Sequence, residues 1–182
     1  MSALRLGLAT LVAAVVVISL HAQTDSGPKA GDKVEPLKVL LAVGDDAGKE
    51  KDLAAEQAKK TAVFVFVQAD KWGRPMARFL RTLDEELNKN RTDVRISAVW
   101  LTDDVDKSKD YLPRAQESLK LQQTTLAVHK GDKSGPNGWG INMDAHVTAV
   151  VTQGGKVVAS FGFVSVNETD VPAVVKKLPE KK

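Results

Sequence analysis

Cysteine is absent from all 182 residues. No disulfide, thiolate nucleophile or thiolate metal site can form, so dithiol oxidoreductases, cysteine hydrolases and zinc fingers are excluded together. Histidine is nearly as scarce. Only His129 and His146 lie beyond the first 22 residues, with Asp132 and Asp144 as sequence neighbours. No pair among them has a recognised ligand spacing, so neither a metal nor any other cofactor is expected. The Gly-x-Ser-x-Gly elbow of serine hydrolases is missing, as is the Gly-Lys-Ser/Thr signature of a phosphate loop. Charge of one sign is also lacking. The net charge is +3 and lysines alternate with acids, which gives no basic stripe for a nucleic acid.

Long apolar runs are limited to one, Leu6–Leu20. With Arg5 before it and Leu20-His21-Ala22 as a cleavage site, residues 1–22 read as a secretory signal peptide. The run is short for a membrane span and no basic stop-transfer cluster follows, so no stable span is expected after cleavage. A lipoprotein anchor would need the missing cysteine. The expectation is an exported protein, periplasmic or extracellular, that must be stable without disulfides. Residues 23–32 are polar and include Gly27-Pro28, so a flexible linker is expected there. Residues 33–179 are long enough for one domain with a core, and residues 180–182 close the chain as a basic tail.

Thr61–Val67 is a continuous apolar run, β-branched and aromatic, suited to a strand buried on both faces. A polar turn, Gln68–Lys71, leads into Trp72-Gly73-Arg74-Pro75-Met76. From Met76 the apolar residues Phe79, Leu80, Leu83 and Leu87 recur at helical spacing. Buried strand, turn and amphipathic helix form the unit on which α/β proteins mount sites. Around it the sequence predicts a first strand within 34–43, a short helix in 52–60, and a strand at 94–101 with Val94, Ile96, Ala98 and Trp100 on one face. A second crossover would make the strands on either side of the central helix parallel. The acidic loop 102–106 reads as a helix cap rather than a cation site. The helix after it, roughly 107–121, is expected to be irregular at Pro113. Thr124–His129 is a short strand candidate. Ala145–Val151 and Lys156–Phe161 flank Gly154-Gly155 as a hairpin, and Asp170 is placed as the cap of a last helix, 171–178.

Trp72-Gly73-Arg74-Pro75-Met76 resembles the Trp-Cys-Gly-Pro-Cys turn of thioredoxin-like proteins. Trp72 and Pro75 match, while Gly73 and Met76 fall on the two cysteines. Read without that likeness, the same residues are a packed aromatic, a flexible glycine and a proline opening a helix. Gly48-Lys49 ahead of Leu53 is similar to the redoxin branch of the group, and the hairpin and closing helix resemble the second half of the fold. The resemblance spans about Gly31 to Leu178. It implies an α/β thioredoxin-like three-layer fold: a central mixed sheet flanked by helices, then a C-terminal β-hairpin plus helix. It also implies that the redox chemistry is gone. The family's cis-proline would fall near His146-Val147-Thr148, where no proline stands.

Two functions from different classes follow. In one, the degenerate turn, Trp72, Gly73, Arg74, Pro75 and Met76, joins His146 and Trp139 in binding an exported protein or peptide partner; tryptophan, methionine and arginine are enriched in interface cores. In the other, an enzyme works through a non-thiol site, with His146 paired to a carboxylate. A purely structural domain is the third reading. Trp139 sits in a glycine-rich loop, 131–140, and could serve a ligand or cap the core. Exposure and clustering of Trp72, Met76 and Trp139 would favour binding. Asn90 and Asn167 open Asn-x-Thr sequons.

Overall fold

A computed structural model describes residues 23–181; residues 1–22, with the expected signal peptide, and Lys182 lie outside the described residues. The apolar run forms β4, Thr61–Gln68, buried from Ala62 onward. Its alternation splits the interior. Val63, Val65 and Val67 face one core, and Ala62, Phe64 and Phe66 face the other. β4 runs parallel to β5, Val94–Leu101, and antiparallel to β7, Val147–Gln153. A strand with both edges paired and both faces covered has to be apolar throughout.

The other strands are β1 (Gln23–Thr24), β2 (Lys38–Leu41), β3 (Glu50–Asp52), β6 (Thr124–Val128) and β8 (Lys156–Phe163). The eight form one mixed sheet in the order β1-β8-β7-β4-β5-β6-β2-β3. On one face α2, Arg74–Asn90, buries Met76, Phe79, Leu80, Leu83 and Leu87, each worth about 1.5–3 kcal/mol of burial. Leu112 of α3 (Val105–Leu119) and Val171 and Val174 of α4 (Val171–Val175) complete that layer. The other face is covered by α1 (Leu53–Gln57) and the glycine-rich loop, whose Trp139 packs edge-on against Phe64 and Phe66 at 5.2 and 4.9 Å. The three-layer expectation is met, with a loop serving as much of the third layer. Gly154 and Gly155 turn β7 into β8 with φ of 59° and 75°, a pair of left-handed conformations that glycine adopts at no steric cost.

Several expectations need correction. Residues 23–32 are not a flexible linker but a strap along β8. Gln23 and Thr24 pair with Phe163 and Gly162. Farther along, Gly31 N–H donates to the Val157 carbonyl at 2.8 Å and Val157 N–H to the Asp32 carbonyl at 2.9 Å. A polar segment looks like a linker in sequence, yet its backbone groups can still complete a sheet edge. The strand expected within 34–43 is β2, only four residues long, and it starts after Pro36, which has no N–H for a ladder. β3 is Glu-Lys-Asp, without β propensity, and exists through its pairing with β2. α3 is continuous through Pro113, which lies on its exposed side, where water can take the carbonyl left without a partner. Asp170 is the N-cap residue of the last helix as expected, but its carboxylate turns back to accept from Asn167 N–H at 2.9 Å, while the Asn167 side chain caps the short turn Glu168–Asp170 before it.

Candidate functional site at the carboxyl end of the sheet

After Gln68 the chain makes one short turn, Ala69–Lys71, then Trp72, and α2 starts at Arg74 with Gly73 as its N-cap and Pro75 in the first turn. Proline belongs there because first-turn N–H groups have no partner within the helix. Gly73 is extended (φ −162°, ψ −178°). A Cβ there would meet nothing nearer than Pro75 Cδ at 3.8 Å, so nothing local demands glycine. Met76 points inward and is only 5% exposed.

Trp72 is half-buried. Its ring lies against that of Trp100, with centroids 4.8 Å apart and planes tilted by 60°. Its Nε1–H donates to the Tyr111 hydroxyl at 2.8 Å. Tyr111, on α3, is 37% exposed. Trp72, Gly73, Arg74 and Ala77 on one side and Tyr111, Arg114 and Ala115 on the other line a groove of about 430 Å³. Trp72 and Tyr111 also border a second hollow with Asp70, Trp100, Asp103 and Lys107.

His146 precedes β7. Its N–H donates to the Phe163 carbonyl at 2.8 Å and its carbonyl accepts from Gln68 N–H at 3.0 Å. Its side chain lines a third hollow with Gln68, Asp70, Lys71, Lys133, Met143 and Asp144. Asp70 belongs to both neighbouring hollows, so His146 and Trp72 flank one acid at one end of the sheet. No carboxylate hydrogen bond to His146 occurs among the described residues, which leaves the paired-histidine arrangement of the enzyme reading without support. No cis peptide occurs among the described residues either.

Three acids at this end already have partners. Asp103 pairs with Lys133 at 3.0 Å, which pushes the Lys133 ammonium pKa up through that hydrogen bond. Asp104 caps α3 by accepting from Lys107 N–H at 3.0 Å, as expected of the acidic loop. The Asp132 carboxyl is held below its usual range, chiefly by Ser134 N–H. No group of three or more His, Asp or Glu side chains able to hold a metal occurs among the described residues.

Of the residues singled out in sequence, Trp72, Gly73, Arg74, Pro75 and His146 gather at this end. Met76 is there too, but faces the core. Trp139 is elsewhere: it is 1% exposed, sits in the opposite core and donates Nε1–H to the Pro36 carbonyl at 3.3 Å. The exposed cluster of Trp72, Met76 and Trp139 that would favour binding is therefore not formed. Tyr111, Arg114, Trp100 and Met143 were not anticipated. Tyr111 is the chain's one tyrosine, and its i,i+3 spacing to Arg114 places both on one helix face; that was the readable signal.

The fold is thioredoxin-like. No family model and no curated protein sequence matches the chain, and the likeness is carried by structure. A member of the Sco family of cytochrome c oxidase assembly proteins superposes with a TM-score of 0.57 at 18% identity, over 84% of this chain and 97% of its own. A DsbF homologue from Corynebacterium diphtheriae gives 0.59 at 15%, over 81% and 87%. A peroxiredoxin-like protein from Aquifex aeolicus gives 0.56 at 14%, over 87% and 92%. This chain has their fold with no cysteine anywhere in its sequence.

Proposed function

We propose that this chain is an exported thioredoxin-like domain that works without thiol redox chemistry, as a protein- or peptide-binding module. One observation carries the reading. Among the described residues the exposed large hydrophobics are Tyr111 and Met143, and both lie at the end of the sheet where half-buried Trp72 precedes the degenerate turn. Isolated exposed apolar residues mean little. Their confinement to the one end where Gly73 and Met76 replace a redox pair supports a surface kept for contact. Export is supported by the signal-like composition of residues 1–22.

The test is site-specific photocrosslinking in the exported fraction, with a benzophenone amino acid at position 111 or 143 and at position 59 as a distant control. Discrete adducts at 111 and 143, lost with Trp72→Ala and absent at 59, are the expected result. Adducts of the same pattern at all three positions, or none at 111 and 143, would overturn the reading.

A further inference from the structure

The groove between α2 and α3 is unlike the rest of this end in charge. It carries Arg74 and Arg114 and no carboxylate among its lining residues. Arginines elsewhere are mostly paired: Arg78 with Glu168 at 2.7 Å, Arg81 with Glu85 at 3.7 Å and Arg91 with Asp93 at 2.9 Å. Among the described residues, Arg74 and Arg114 have neither an ion pair nor a side-chain hydrogen bond. Lys107, one turn before Tyr111 on the same face of α3, continues the row toward the second hollow. It has no ion pair either. Of the nearby acids, Asp103 is committed to Lys133 and Asp104 to its cap, Asp70 lies 3.9 Å from Lys71, and Asp110, one turn from Lys107 and Arg114 on α3, pairs with neither. Between the cations lies an apolar floor of Trp72, Ala77, Tyr111 and Ala115.

We infer that this groove docks an acidic peptide segment of a partner protein, with an apolar side chain laid on the Trp72–Tyr111 floor and carboxylates flanking it on Arg74 and Arg114. The assignment rests on the binding-module reading and gives its partner a chemistry. A guanidinium fits a carboxylate bidentately. Two such groups on either side of aromatic surface select an extended segment with an acid–apolar–acid pattern and repel its basic counterpart. A nucleic acid would meet a mixed surface at this end, with Lys71, Arg74, Lys107, Arg114 and Lys133 interleaved with Asp70, Asp103, Asp104, Asp132 and Asp144, which does not provide the run of phosphate contacts that such binding needs.

The experiment is fluorescence anisotropy of the purified protein with two labelled peptides, a Glu-rich segment around a Leu-Phe core and the same peptide with Lys for Glu. The acidic peptide should bind about tenfold or more tightly than the basic one, and weaken as salt rises from about 50 to about 500 mM. Arg74→Glu with Arg114→Glu should reverse the preference. Arg95→Glu, which removes an exposed arginine on β5 outside the groove, should leave it unchanged. Equal binding of both peptides, binding of neither, or equal weakening by Arg95→Glu overturns the assignment. Photocrosslinks at positions 111 and 143 without acidic preference would remove the charge assignment alone. Loss of both crosslinks and preference would remove the binding module with it.

Discussion

Gly73 is the residue whose chemistry departs furthest from its place in the fold. Its backbone is extended and a Cβ would sit 3.8 Å or more from its neighbours, so Gly73→Cys should fold unchanged. The new thiol would stand at the N-cap of a 17-residue helix with no acid in its first turn, where the dipole favours thiolate. Its pKa should fall below about 7.5, against about 8.5 for a free thiol, read from the pH dependence of alkylation by iodoacetamide. A value at or above about 8.5 would mean that the turn no longer presents the helix end. Asp84 illustrates the opposite case, an acid buried on α2 among its apolar residues. It is 2% exposed and accepts from Gln122, Gln123 and Thr124 N–H and from the Thr124 hydroxyl, at 2.7–2.9 Å. Asp84→Ala strands those donors and should cost about 2–5 kcal/mol in urea unfolding. His129 has a buried Nδ1 without a hydrogen-bond partner, and burial lowers its pKa against the opposing effects of a hydrogen bond to the Lys38 backbone and the charge of Asp132. A depressed histidine pKa means the unfolded chain binds the proton more readily. Stability is therefore fully present above about pH 6.5 and is lost as pH falls from there toward the folded-state value. The urea midpoint should drop between about pH 7.5 and about pH 5.5, and drop less in His129→Gln.

At the scale of elements, what could be read from sequence was set by local pattern, and what could not was set by pairing. β4, α2 and the Gly154-Gly155 hairpin were legible because apolar period and turn chemistry coincide there. β1 and β3 were not, since polar residues become strands only when a neighbouring edge is present to receive them. The degenerate turn was legible for the same local reason as α2, whereas Tyr111 and Met143 come to it from α3 and the loop before β7, through tertiary packing that no window shows. The strap carries a prediction of its own. Ser26 is buried, with its hydroxyl 2.6 Å from that of Thr148 and accepting from Asn142 N–H at 2.9 Å. Gly162 has no room for a Cβ beneath the Thr24 carbonyl and Ser26, so strap and β8 are in close contact. Deleting residues 23–32 should cost about 3–5 kcal/mol for the several hydrogen bonds lost. It should also remove hydrogen-exchange protection at Val157 and leave an open edge prone to association. Unchanged protection at Val157 would restore the linker reading.

For the whole molecule, the strap sets the end of the sheet at which the chain leaves toward residue 22. Gln23 pairs with Phe163, Phe163 with Val147 and Val147 with Val67, one residue before Gln68 at the carboxyl end of β4. The chain therefore departs toward residue 22 at the same end as Trp72 and His146. The C-terminal segment lies at the other end: the charge of Lys181 is felt by Asp93, just ahead of Val94, which pairs with Thr61 at the start of β4. A leader kept on the chain would hold the groove toward the membrane that carries it, while cleavage after Ala22 would free that face. This geometry can be tested without knowing the natural partner. Protein immobilised through a biotin directly at Gln23 should take up the acidic peptide with an on-rate at least about threefold slower than protein immobilised through its C-terminus, because docking a specific patch depends on access to it. The off-rate, set by contacts within the groove, should be the same in both orientations. Equal on-rates would place the peptide away from the carboxyl end of the sheet, and so away from the surface that Trp72 and Tyr111 form.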